Sequence, residues 1–166
     1  MENENINQED NELSQSLTIA SSHSTQISLE AVRKGKAGLD SHKQRMLDSV
    51  PKTGDWAKFN RDSLDIKDLA YLTAKIGDEF AILRGKKEDI LFHGDRTSCS
   101  FTGELKERLD SHQLELYAHA HPGEPRPIPS IDDRRVLARI KQPRSLLISA
   151  MTGRIVEYGP DEFEPL

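Results

Sequence analysis

The stretch Leu114–His121 (LELYAHAH) constrains this chain more than any other. It alternates apolar and polar residues, the period of a β-strand with one buried face. Leu114, Leu116, Ala118 and Ala120 are then expected on a core face, and Glu115, Tyr117, His119 and His121 on the opposite, polar face. The eight residues that follow, Pro122 to Pro129, include four prolines. Each proline fixes its own φ and lacks an N–H donor, so this segment is a stiff loop. Ser130-Ile-Asp-Asp133 next reads as the cap and first turn of a helix over 130–141. A serine hydroxyl satisfies orphan helix amides, and early acidic residues suit the positive end of the helix dipole.

The flanking sequence extends the pattern. From Ser63, read as an N-cap, Leu64, Ile66, Leu69, Ala70, Leu72, Thr73 and Ile76 recur at helical spacing, and Gly77 ends the run. Glu79–Leu83 and Ile90–His93 are short apolar runs around Arg84–Asp89, a β-hairpin with Arg84-Gly-Lys-Lys87 as a solvated turn. A helix is expected over 102–109 with Thr102 as cap, and strands over 145–150 and 154–158 joined at Thr152-Gly153. The order α-β-β-α-β-α-β-β predicts an α/β fold, a mixed β-sheet flanked by helices.

Charge divides the chain. Residues 1–30 hold six acids, six serines and no lysine or arginine, whereas the remainder holds 23 bases and 22 acids. The first segment has too little apolar surface to offset its ordering entropy and is expected to be a disordered acidic tail. Residues 31–62, punctuated by Gly35, Gly38, Pro51 and Gly54, read as a partly ordered arm pinned by Trp56 and Phe59. Residues 63–166 form the single expected domain, a size in keeping with 166 residues in all. No run approaches the roughly 18 apolar residues of a membrane span. The first thirty residues lack the basic and apolar regions of a secretory signal, so a cytoplasmic location is expected. The one cysteine, Cys99, excludes an intramolecular disulfide and reads as a small buried hydrophobe. A nearly neutral domain with 5% aromatic residues and no basic stripe argues against a nucleic-acid partner.

The chemistry gathers around the two histidines. Two residues apart on a strand, their Cα atoms are separated by roughly 7 Å. Both rings can then reach one zinc ion at about 2.0–2.1 Å. Asp133, in the first turn of the next helix, can point back at the strand end as a third ligand. Two histidines and a carboxylate suit zinc and leave a fourth position for water. Glu79, at a strand start, is the candidate general base, with Glu124 and Glu115 as nearby rivals. Ser130 can donate to an oxyanion. Taken singly, each residue has a plainer role: Ser130 a helix cap, Asp133 a dipole partner, His119 a half-exposed strand residue, Glu79 a strand-end carboxylate. Tyr117 suits either a groove wall or packing. His23 and His42 have no assigned role, and Arg134, Arg135 and Arg139 read as an outer helix face.

The pattern Glu79…His119-x-His121-Pro…Ser130-x-x-Asp133 resembles the JAMM (JAB/MPN) metalloprotease motif. The resemblance covers roughly residues 63–160. It departs in one place, with eight residues between His121 and Ser130 where the family has seven. It implies a zinc peptidase or isopeptidase, with His119, His121 and Asp133 as zinc ligands, Glu79 as base and Ser130 as oxyanion stabiliser. It also implies a protein substrate, such as a ubiquitin-like conjugate. Keeping the Ser-x-x-Asp spacing makes Asp133 the ligand and leaves Asp132 facing solvent. Gly77–Lys86, His119–Gly123 and Asp133–Leu137 are further similar to JAB-like domains of bacterial polymorphic toxins and conflict systems. That likeness implies a bacterial protein, in which residues 1–30 would be a linker stub and the chain could act as a secreted effector. A catalytically inactive MPN-like scaffold is the remaining alternative.

Overall fold

A computed structural model of the chain describes residues 17–20 and 41–160. In chain order the elements are β1 (Leu17–Ala20), α1 (Ser41–Asp48), β2 (Trp56–Asn60), α2 (Ile66–Ile76), β3 (Phe80–Arg84), β4 (Glu88–His93), β5 (Ser98–Phe101), α3 (Gly103–Asp110), β6 (Glu115–His121), α4 (Ile131–Ile140), β7 (Ser145–Ser149) and β8 (Ile155–Tyr158). The helix expected from Ser63 starts later, because Asp65 rather than Ser63 caps it. The Asp65 carboxylate accepts from the Lys67 amide at 3.3 Å, and Asp68 accepts from the Asp65 amide at 2.9 Å, closing a capping box. The Ser63 hydroxyl instead donates to the Asn60 carbonyl. Gly77 ends α2 as its spacing predicts: at φ +94° it is left-handed, and its N–H bonds the Thr73 carbonyl.

Six strands form one mixed sheet in the order β2-β4-β3-β6-β7-β8. Every neighbouring pair is antiparallel except β6 and β7, which are parallel and joined through α4. Its faces are covered by different helices. Met46, Leu69 and Leu72 from α1 and α2 pack on Ile82, Leu91, Ala118, Ala120 and Ile148. Leu105, Leu109, Val136 and Leu137 from α3 and α4 pack on Ala81, Leu83, Ile90, Leu116 and Leu147. Buried on both faces, β3 reads as the continuous apolar run Phe80–Leu83 rather than an alternating one.

Three expectations change. First, β6 does not keep one phase. Ile82 pairs with Ala118 and Leu83 with Leu116, so Tyr117 is an extra residue and β6 carries a β-bulge there. The bulge shifts the alternation. Leu116, His119 and His121 share the α3–α4 face, while Tyr117, Ala118 and Ala120 lie on the α1–α2 face. Tyr117 is therefore a packing residue beneath the Arg84 guanidinium, 3.8 Å from the ring centre, and not a neighbour of the histidines. Second, the acidic tail expected over 1–30 contains a strand. Leu17–Ala20 pairs antiparallel with β5, a strand absent from the sequence reading, and buries Leu17 and Ile19 completely. Residues 1–16 and 21–30 lie outside the described residues, as do 31–40 of the arm and 161–166 of the domain. Third, the arm contributes to the main sheet. Trp56–Asn60 is its edge strand, paired along β4, so the folded unit takes in residues ahead of 63.

Candidate metal centre

Four buried side chains meet at the C-terminal end of β6. His119 and His121 project from its last turn of pleat toward α4, each with no exposed surface. Asp133, also fully buried, comes from the first turn of α4. Glu79 precedes β3 and points to the same face as Ala81, whose partner across the ladder is His119. Its backbone is fixed on both sides: its N–H bonds the Asp95 carbonyl and its carbonyl accepts from Gly94, each at 2.8 Å. Position 94 must be glycine, because a Cβ there would lie 2.2 Å from the Ser98 carbonyl oxygen and 2.7 Å from the Cys99 sulfur.

The distances define a ligand cage. His119 Nε2 and His121 Nε2 are 3.2 Å apart. Asp133 Oδ2 is 3.3 Å from the first and 3.2 Å from the second. Atoms bound tetrahedrally at 2.0–2.1 Å are separated by about 3.3–3.4 Å, so this triangle has the edge of a zinc-sized tetrahedron. Glu79, His119 and His121 also each offer a ligand atom with all three within 4.8 Å of one another, a buried triad that could hold a metal ion.

The surrounding groups orient these ligands. Glu124 Oε1 lies 2.7 Å from His121 Nδ1, a carboxylate that fixes the ring and turns the Nε2 lone pair into the cage. Asp133 is held at both oxygens: Oδ1 accepts from the Ala20 amide and Oδ2 from the Ser130 amide, each at 2.9 Å. The Ser130 hydroxyl oxygen accepts from the Asp133 amide at 3.0 Å, so Ser130 is a helix cap whose own O–H can still donate elsewhere. The Tyr158 ring stands edge-on to His119, with centroids 6.0 Å apart.

Charge in the cage is divided unequally. Burial lowers His119 below the ordinary imidazole value despite the nearby Asp133 carboxylate. Burial would lower His121 as well, but hydrogen bonds to Asp133 and Glu124 outweigh it and lift this imidazole to about 10. Burial works against the Asp133 anion, yet the two histidines hold it well below the usual carboxylate range. The raised His121 and lowered Asp133 both favour an imidazolium beside a carboxylate in this cluster.

The structure brings together Glu79, His119, His121, Asp133 and Ser130. Asp132 is exposed beside Arg135, as its spacing implies. Of the two rivals for the base, Glu115 sits at the far end of β6 opposite Arg84, and Glu124 is engaged on His121. Burial and the nearby Glu79 and Asp133 charges push the Cys99 thiol up, leaving it a poor nucleophile. Two further imidazoles are engaged elsewhere: His93 is bonded to Asp78 and the Pro51 carbonyl, and His112 to the Ile140 carbonyl. His42 lies 3.3 Å from Asp68. The Glu124–His121 bond and the Ala20 donor were missed from sequence. The first had a signal, an acid three residues past His121 in a proline loop, and the second had only the Leu17/Ile19 alternation. No family model, curated protein or solved structure matches the chain. Among the described residues, no helix is long and apolar enough to cross a membrane.

Proposed function

We propose that the chain is a zinc-dependent peptidase or isopeptidase of JAMM type. The observation that carries this reading is the buried triangle of His119 Nε2, His121 Nε2 and Asp133 Oδ2 with 3.2–3.3 Å edges and a further carboxylate, Glu79, beside it. Two imidazole nitrogens and a carboxylate oxygen converging at this spacing are the donor set of a three-ligand metal site. In this reading His119, His121 and Asp133 hold the ion, with Glu124 and the Ala20 and Ser130 amides as their supports.

A zinc ion held there supplies Lewis acidity, polarising a carbonyl and lowering the pKa of water. The protein's own groups do the rest. Glu79 takes a proton from the attacking water as the C–O bond forms, and delivers it to the leaving amine as the C–N bond breaks. The Ser130 hydroxyl donates to the oxygen on which negative charge develops. Ile128 and Ile131, exposed by 46% and 58%, flank Ser130 in sequence and offer apolar contact to a polypeptide. The resemblance to the JAMM family supports a ubiquitin-like conjugate as the substrate class.

The test is metal content by elemental analysis of protein purified without chelator or affinity metal, beside His119→Ala and Asp133→Ala. About one zinc per chain, lost in both variants, is the expected result, as one three-ligand site holds one ion. Cleavage of peptide and isopeptide substrates, abolished in Glu79→Ala, then follows. Wild-type protein that takes up no zinc when supplied with it would refute the reading.

A further inference from the structure

The metal ligand Asp133 is not held by its own domain core alone. Its Oδ2 faces the two histidines and accepts from Ser130. Its Oδ1 accepts from the backbone N–H of Ala20, 113 residues away in sequence. That donor belongs to β1, a four-residue strand inside the 1–30 segment whose composition predicts disorder. The strand is nevertheless well seated. Leu17 and Ile19 enter the core with Cys99, Phe101 and Val136, the backbone pairs residue by residue with β5, and the Thr18 and Ser100 hydroxyls meet at 2.9 Å. The Ala20 N–H is directed at α4 and ends on the carboxylate.

We infer that residues 17–20 complete the metal centre in cis: the Ala20 amide is a positioning group that locks Asp133 in its ligating rotamer. A carboxylate that binds an ion through one oxygen can still rotate about its Cβ–Cγ bond unless the other oxygen is held. Hydrogen bonds of this kind to metal ligands set affinity by 10–100-fold in known sites. A buried Oδ1 that lost its donor would seek one elsewhere, most simply by turning Oδ2 out of the cage. The inference rests on the metal reading above, and it makes the N-terminal strand part of the site rather than a tether ahead of it.

Ala20→Pro removes the N–H and sets its Cδ against Asp133 Oδ1, so it displaces that oxygen as well as unpairing it, and Ala20→Gly keeps the donor. Zinc and cobalt(II) affinities of the full chain are measured by competition with a chromophoric chelator, with circular dichroism as a check on folding. Ala20→Pro is expected to bind zinc about 10–100-fold more weakly and to change the cobalt visible spectrum, while Ala20→Gly does neither. Leu17→Asp/Ile19→Asp, which undocks the whole strand, is expected to weaken zinc binding at least as far. A folded Ala20→Pro chain with wild-type zinc affinity and cobalt spectrum overturns the inference and leaves the metal reading standing. A wild-type chain that binds neither metal overturns both.

Discussion

The two ends of the β3–β6 ladder carry buried charge in opposite ways. At one end Arg84 and Asp89 form a closed pair. Asp89 accepts from Arg84 Nε at 2.8 Å, from Nη2 at 3.1 Å and from the Asp62 amide at 2.9 Å, while the guanidinium stacks on Tyr117. Donors there match acceptors, and the charges balance. This also corrects the solvated turn expected at Arg84, whose side chain is only 11% exposed. At the other end the buried His119, His121 and Asp133 place their Nε2 and Oδ2 atoms 3.2–3.3 Å apart, with the Glu79 carboxylate near both histidines. The closed pair has no place for another species, whereas the open cluster could hold a metal ion. Burial of charge alone therefore does not distinguish structure from function in this molecule; the balance of donors against acceptors does.

That contrast can be broken most sharply at Glu79. Glu79→Gln should retain zinc and lower kcat on a cleavable peptide by roughly 10²–10⁴-fold, the usual contribution of a general base. Metal content and turnover measured on the same preparation check both halves. Asp89→Ala should do the reverse. Leaving Arg84 buried without its partner should cost about 3–5 kcal/mol of stability in denaturant unfolding, with zinc affinity in the folded chain unchanged. Glu124→Gln should weaken zinc binding by about 10–100-fold without loss of fold, because the ring it orients loses an anionic anchor. Chelator competition measures that loss.

A smaller effect follows from protonation. His121 is raised to about 10, so below that pH its proton competes with the ion. Zinc affinity should rise with pH by about tenfold per unit through the neutral range, with one proton released per ion bound, as titration in buffers of different ionisation enthalpy would report. An affinity that stays flat between pH 6 and 8, or falls, contradicts the assignment. The smallest effect expected is at the α2 cap, where Asp65→Ala should lower stability by about 1 kcal/mol and leave the metal site untouched.

Much of the site was legible in sequence because its parts are local. The His119–His121 pair, the stiff loop and the capped first turn of the next helix lie within the 15 residues from His119 to Asp133, and each follows from short-range rules. The histidines share a face whatever happens earlier in β6, since they are two apart and beyond the bulge. Which face they share was not legible: the bulge at Tyr117 exists only in register against β3, and strict alternation from Leu114 puts the imidazoles opposite Leu116. The short strands β1, β2 and β5 were hidden for a similar reason. Four or five residues with two buried side chains become strands only when an edge elsewhere in the chain accepts them. The acidic composition around Leu17–Ala20 masks an alternation that β5 and α4 make decisive.

The single parallel pair in the sheet has a topological consequence. Between β3 and β4, and between β7 and β8, the chain turns straight back on itself. Between β6 and β7 it must instead cross over and re-enter from the same side as before. That crossover delivers the capped start of α4, with its first-turn acids, to the finishing end of β6. Among the described strands it is the one boundary in the sheet where neighbours run the same way, and the four buried side chains of the candidate centre gather beside it. The connectivity thus selects the address of the site before any histidine is chosen to occupy it.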